Sequence, residues 1–459
     1  MKRSTKVGSR GSRFAAVLLA SGLVVAACGG GGDAEGDGSE SEATEAPAGS
    51  EAPAESTGST GSTDSSASTD SAAPTEGGLA SDALGAPTGE EIVIGMVNTE
   101  GGAGGLDFPD IRRFLEAGVA YANEHGGLGN RPVQFIGCTV KGDPETSQFC
   151  AQELVGQGVE LVLVGLDLFI DYKTFDAAGV PVIGVLPIMP TDYTANALFL
   201  TGGNATSQSA SAVFARDQLG ASRVAIIHAD NPGANSTAAG LQAALDKGGI
   251  EWTAVKGGND ETDAGFQGLM RQASDFDPDV IVSLYSDAGC IGTMRARASL
   301  GIETPVVTTA ICADDDVIDV VGDDATGWYF AGLPPDSDTP ERDLLVKLLA
   351  PVIGVPEEEV SPTGLGLGGL GYTMWMSLYD YGQKMVAEGI EVTGPSLFDF
   401  LKTSDDLFLF GGQTPIACGS EPTYPAVCSF VFPFAMYKGD GVVGPVDGVD
   451  LVDSRPLLP

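Results

Sequence analysis

From residue 90 onward, short apolar runs alternate with longer stretches of helical spacing. The first run, residues 92–97, carries Ile92, Val93, Ile94, Met96 and Val97 between polar and glycine-rich flanks. A short β-branched run of this kind suits a strand buried on both faces. It leads through the glycine-rich residues 101–105 into residues 107–125, where Ile111, Phe114, Leu115, Val119 and Ala122 recur close to helical spacing. The unit then repeats. Strands are expected at 132–140, 159–164, 181–186 and 197–201, with helices at 143–157 and 171–178. A second series follows, with helices at 204–219, 234–247, 263–274 and 288–300 between strands at 223–228, 250–255, 279–285, 305–308 and 328–331. Strand and helix alternating through short connections is the mark of parallel sheets with right-handed crossovers.

Beyond a linker-like stretch at 332–340, helices are expected at 339–352, 366–388 and 396–402, and a strand at 428–437. The second of these helices carries Tyr372, Met374, Trp375, Met376, Tyr379 and Tyr381. Such a stripe reads as helix packing rather than a cofactor box. The fold class is therefore α/β, two Rossmann-like lobes with parallel sheets. Open sheets of this kind bind ligands beyond the carboxyl ends of their strands.

The first 89 residues have another character. Lys2, Arg3, Lys6, Arg10 and Arg13 precede an apolar run at 14–27, which ends at Cys28 and a glycine run. A basic segment before a short apolar one is a secretory signal, too short for a spanning helix. Small residues just before Cys28 resemble a bacterial lipobox, so residues 1–28 are expected to be removed up to a lipidated Cys28. Residues 29–89 hold glycine, serine, threonine, alanine, proline and acid but no lysine or arginine. They are expected to form a solvated acidic tether. Over the whole chain of 459 residues, 63 acidic side chains face 23 basic ones, which leaves no basic patch for a nucleic-acid partner.

Without Cys28, six cysteines remain: Cys138, Cys150, Cys290, Cys312, Cys418 and Cys428. An even number in an exported chain implies disulfides. Fifteen connectivities are open; nearest-neighbour pairing is the simplest. No C-x-x-C spacing occurs and the histidines are His125 and His228, so no metal is expected.

The order of several short matches carries a resemblance. They include the run at 92–98, Ala120 to Asn123 with Gly126 to Pro132, Asp143-Pro144, Gln152 to Val155, Ala178 to Ile183, Arg223 to His228, Phe276 to Ile281 and Arg295 to Gly301. From about residue 91 to residue 441 the chain resembles the type I periplasmic binding proteins of the leucine/isoleucine/valine-binding family, which serve ABC importers. The resemblance implies two lobes joined by three crossings, near 202–204, 332–336 and 411–414. Lobe 1 is then 90–203 plus 333–411, and lobe 2 is 204–332 plus 412–459. It implies a ligand site in the cleft at Thr99, Glu100, Gly101, Asp167, Leu168, Leu186 and Pro187 of lobe 1. From lobe 2 it implies Asp230, Asn231, Tyr285, Ser286, Asp287 and Ala310. It also implies an exported monomer, tethered by lipid to the outer face of the bacterial membrane and partnered by an importer permease.

Three departures from that family's amino-acid-binding pattern matter. Residues 165–169 lack the hydroxyl loop for an α-carboxylate, residues 186–189 replace small and hydroxyl residues, and Ala310 stands where an acidic anchor for an α-ammonium is expected. The ligand is expected to be a small organic molecule, branched-chain amino acid-like, an amide or a small carboxylate, and more apolar or aromatic than leucine. An enzyme is not expected, since neither a G-x-S-x-G elbow nor an H-E-x-x-H motif is present. Residues 102–107 lack the last small residue of G-x-G-x-x-G, and Asp314 to Asp316 read as a solvated helix start, so no cofactor is expected. A ligand-sensing lipoprotein of the same fold, or a ligand-free envelope protein, are the competing readings.

Overall fold

The β-branched run at residue 92 forms an inner strand of the first lobe's sheet. A computed structural model describes residues 79–102, 106–286, 288–332, 339–412, 414–449 and 451–459. The expected signal peptide, Cys28, most of the tether, residues 103–105 and Asp287 lie outside the described residues.

The first sheet contains β1 (Ile92–Thr99), β2 (Val133–Val140), β3 (Leu161–Val164), β4 (Val182–Gly184) and β5 (Ala197–Phe199). Their spatial order is β2-β1-β3-β4-β5, every pairing parallel. Between them run α1 (Pro109–Glu124), α2 (Pro144–Gly156) and α3 (Tyr172–Ala178). Asp143 starts α2 and Asp171 starts α3, each side chain accepting from a first-turn N–H. Both faces of the sheet are covered, which is why β3 reads Leu-Val-Leu-Val with every residue buried.

The second series contains α4 (Gly203–Asp217), β6 (Arg223–Ala229), α5 (Pro232–Gly248), β7 (Glu251–Gly257), α6 (Asp263–Ser274), β8 (Val280–Leu284), α7 (Ala288–Ser299), β9 (Val306–Thr309), α8 (Asp315–Val321) and β10 (Trp328–Ala331). Then come α9 (Pro340–Ile353), α10 (Gly366–Ala387), α11 (Gly394–Thr403), a small hairpin of β11 (Leu407–Phe408) and β12 (Pro415–Ile416), and finally β13 (Val431–Gly439), β14 (Val442–Pro445) and β15 (Leu451–Asp453). The second sheet runs β14-β13-β10-β9-β8-β6-β7, with β15 beside β13. Strands β6 to β10 are parallel, whereas β13 enters antiparallel to β10.

Helices α9, α10 and α11 return to the first lobe and share a core with β1 and α1. The aromatic and Met stripe of α10 is buried there, as packing. The close seat of α10 on α1 needs Gly371, because a Cβ at that position would lie 2.0 Å from the Ile111 carbonyl oxygen.

Two expectations change. Residues 79–89 do not continue a solvated tether. Leu79 packs on the lobe 1 core, Ser81 Oγ lies 2.9 Å from Tyr121 Oη, and the Gly126 and Gly89 amides bond across to the Gly85 and Asn130 carbonyls. Leu79 and Leu84 give this end of the tether the apolar side chains that the rest lacks. The third crossing also moves. Ile416, Cys418 and Cys428 belong to the lobe 1 core, and Phe199 bridges Val427. The chain leaves that lobe at Ser429 and enters β13 at Val431, rather than crossing at 411–414. The hydrogen bonds of Phe199 to Ala426 and Cys428 cover the β5 edge, a requirement that no local sequence pattern announces.

The cysteines form three nearest-neighbour disulfides, Cys138–Cys150, Cys290–Cys312 and Cys418–Cys428. Among the described residues, no helix is long and apolar enough to cross a membrane.

Candidate functional site

The carboxyl ends of both sheets open onto one cleft of about 330 Å³. The loops after β3 and β4 bring Leu166, Leu168, Leu186 and Ile188 from the first lobe. The loops after β6, β8 and β9 bring Asn231, Tyr285, Ser286, Thr309, Ala310 and Ile311 from the second. Chain crossings form the back wall at Thr201 to Asn204, Ala331-Gly332, Ser429 and Val431 to Pro433. Gly203 is held at φ 59°, and a Cβ there would sit 1.9 Å from the Pro187 carbonyl oxygen. The first crossing therefore requires glycine. The lobes also meet beside the cleft: Ser236 Oγ donates to the Ile188 carbonyl at 3.2 Å, and α10 packs on the turn Ala310–Ala313.

Of the thirteen residues expected at the site, the cleft wall contains Leu168, Leu186, Asn231, Tyr285, Ser286 and Ala310. Asp287 lies outside the described residues, and the other six make contacts off the wall. Thr99 is buried and donates through Oγ1 to the Leu166 carbonyl at 2.7 Å, which fixes the loop behind the wall. Glu100 pairs with Arg112 at 2.7 Å, and the Gly101 amide bonds Asp107. The Pro187 carbonyl accepts from Asn204 N. Asp230 is exposed and paired with Lys256 at 3.1 Å. Asp167 is buried behind Leu166 and Leu168, where Oδ1 accepts from Ser147 Oγ and Phe169 N while Oδ2 has no partner. Burial pushes its carboxyl up to about 6, against the two donors that favour the charged form. Asp192, likewise raised by burial, holds the loop after β4 by accepting from Ile188 N, Met189 N and Tyr172 Oη.

Sequence reasoning missed a second set of wall residues. Leu106 and Phe108 come from the approach to α1, Leu367, Leu370 and Thr373 from the start of α10, and Leu409 and Phe410 from the loop beyond β11. A signal was present in the alternation of leucine and glycine at 364–371, where glycines seat the helix and leucines are left to face something else.

No Asp, Glu, Lys, Arg or His lies among the described residues that line the cleft. Its polar complement is hydroxyl and amide. The helix starts on the wall are partly satisfied from within. In α4, Asn204 N donates to the Pro187 carbonyl and Ala205 N to Tyr193 Oη at 2.6 Å. In α5, Pro232 has no N–H and Ala234 N donates to Asn231 Oδ1 at 2.8 Å. Among the described residues, no group of three or more His, Cys, Asp or Glu is placed to hold a metal ion.

Residues 91–375 match the family described as periplasmic binding protein. Over 276 residues the chain is 23% identical to Leu/Ile/Val-binding protein homolog 2 of Brucella abortus, covering 58% of this chain and 73% of that protein. Among solved structures, an ABC transporter substrate-binding protein from Sphaerobacter thermophilus is similar with a TM-score of 0.63 at 18% identity, covering 80% of this chain and 99% of that one. A branched-chain amino acid transporter substrate binding protein from Streptococcus pneumoniae, in complex with isoleucine, gives 0.59 at 14% identity, covering 79% and 99%.

Proposed function

The chain belongs to the periplasmic binding protein family, and on that premise we propose that it captures a small organic solute between its lobes and delivers it to an ABC importer. The family is one of extracytoplasmic binding proteins rather than enzymes, and the fold is its two-lobed type I architecture. The observation that carries the proposal is the cleft itself, walled by strand ends of both lobes and backed by the crossing segments. A site divided between two bodies on a hinge closes when a solute contacts both, and the closed form is what a permease can distinguish from the empty one. The ligand class is branched-chain amino acid-like, an amide or a small carboxylate. Leu168, Leu186, Asn231, Tyr285, Ser286 and Ala310 are its proposed contacts. The protein is further proposed to be a monomer held to the outer face of the cell membrane by lipid on Cys28.

Thermal unfolding of the oxidised chain, freed of co-purified solute by refolding, tests this against a panel of amino acids, amides and carboxylates. A ligand at 100 times its dissociation constant stabilises by about 2.7 kcal/mol. One chemical class is expected to raise the midpoint and to shrink the radius of gyration in solution scattering. A rise without contraction would remove the closure mechanism, and no rise with any class would remove solute capture.

A further inference from the structure

The chemistry of the wall narrows the ligand class further. A zwitterion or carboxylate entering a closing cleft loses water and needs opposite charge or several donors in exchange; without them the cost is several kcal/mol. The described wall offers no opposite charge, and its donors are neutral hydroxyls and amides. Among the described residues, Glu100 is engaged with Arg112, Asp230 with Lys256, Asp192 with Tyr172 and two backbone amides, and Asp314 as the cap of α8. Helix N-termini can stand in for cations. Here, however, Asn204 N and Ala205 N in the first turn of α4 and Ala234 N in that of α5 are spent on Pro187, Tyr193 and Asn231, which leaves the first turns only Gly203 N and Gly233 N to offer on the wall.

What the wall does offer is apolar area and hydroxyls. Leu106, Phe108, Leu168, Leu370, Leu409 and Phe410 line one side. Ser286, Thr309, Thr373 and Thr414 line the cleft with hydroxyls that have no hydrogen-bond partner among the described residues. Those groups can donate to a carbonyl or accept from a hydroxyl or amide at little desolvation cost. The cleft, at about 330 Å³, is about twice the ~150 Å³ of a cavity that accepts benzene.

Resting on the solute-capture reading above, we propose that the cleft selects an uncharged, largely apolar solute, about two rings in size and bearing hydroxyl, carbonyl or amide groups. Of the classes named there, it selects amides and rejects zwitterions and carboxylates.

Calorimetric titration of the full oxidised chain with matched pairs tests the choice. The pairs are isovaleramide with isovalerate, 4-hydroxybenzamide with 4-hydroxybenzoate, and N-acetylleucinamide with leucine. The neutral member of at least one pair is expected to bind about 100-fold more tightly than its charged partner. The uncharged probe N-phenyl-1-naphthylamine is expected to gain fluorescence on the chain and to lose at least tenfold in affinity on Leu370→Asp. Tighter binding of the charged member in any pair would overturn the inference and leave solute capture standing. If no pair binds and the probe signal is absent or unchanged by Leu370→Asp, solute capture itself fails and takes the inference with it.

Discussion

The two walls of the cleft are built on the same architecture and carry different chemistry. The first lobe presents mainly leucine and phenylalanine, from β-strand ends, from the approach to α1, from the start of α10 and from the loop beyond β11, with the hydroxyls of Thr373 and Thr414 among them. The second presents smaller and more polar residues, Asn231, Gly233, Ala234, Thr237, Ser286, Thr309 and Ala310, with Tyr285 and Ile311 among them. Apolar contact supplies most binding energy and does little to orient a molecule, whereas a few placed hydroxyls orient it with little net energy. The difference suggests a division of labour: the first lobe grips and the second selects.

The sharpest way to break that division is to charge the grip. Leu168 is 5% exposed, and Leu168→Asp places an unpaired carboxylate beside bound solute. Affinity for a neutral ligand is expected to fall by at least about 100-fold, roughly 2.7 kcal/mol. Calorimetry reads the loss, and circular dichroism checks that the variant remains folded. Equal binding by wild type and variant would place the solute elsewhere.

The disulfides sharpen the same comparison. Cys138–Cys150 ties β2 to α2 in the first lobe, away from the cleft, and closes a separation of 12 residues. Cys290–Cys312 closes 22 and anchors the segment that follows the wall residues Ala310 and Ile311. Loop-closure entropy predicts about 3 kcal/mol from each. Paired Cys→Ala variants should therefore lose similar stability in denaturant titration. Only the Cys290/Cys312 variant is expected to weaken ligand binding as well, because only its loop carries part of the wall.

The strands and most helices were legible because burial on both faces leaves an uninterrupted β-branched run, as at Ile92 to Val97 and Leu161 to Val164. The wall was half legible. Loops after parallel strands are found by counting, so Leu168, Leu186 and Ser286 fall where expected. Counting does not say which way a loop residue turns. Thr99 and Asp167 face the scaffold because the end of β1 and the β3 loop bind each other there, Thr99 Oγ1 donating to the Leu166 carbonyl and Leu166 N donating to Asn98 Oδ1. Leu367, Leu370, Leu409 and Phe410 reach the cleft from chain segments far from the strands they complete. No local period encodes such an arrival.

The two walls also differ in what stands behind them. Asp167 and Asp192 are buried behind the first wall, and burial raises both carboxyls, Asp167 to about 6. A carboxyl whose folded value is raised favours the protonated native state. Its contribution to stability is full below about pH 4 and is lost as pH rises through about 6. Asp167→Asn keeps an acceptor for Ser147 and Phe169 and removes the charge. The variant is expected to gain about 2 kcal/mol on wild type between pH 4 and pH 8, on top of a pH-independent offset from the amide N–H that replaces the unpartnered oxygen. Denaturant midpoints across that range give the difference. A constant difference at all pH values would mean that folding leaves the Asp167 carboxyl at its ordinary value.

The smallest effect tests the selecting wall. Ser286 has an amide fixed by Asn259 Oδ1 at 3.3 Å, so its hydroxyl is carried on a positioned backbone. Ser286→Ala removes one hydrogen bond to solute and leaves the apolar contacts intact. A neutral ligand is expected to lose about 0.5–1.5 kcal/mol, roughly a factor of 2 to 12. The informative reading is discrimination, since an amide should lose that factor while a hydrocarbon of the same shape, having nothing for the hydroxyl to bond, should lose none. Leu168→Ala should do the reverse, weakening both ligands alike through lost contact area. If Ser286→Ala weakened the amide and the hydrocarbon equally, the second lobe would be gripping as the first does, and the division between the walls would be one of sequence only.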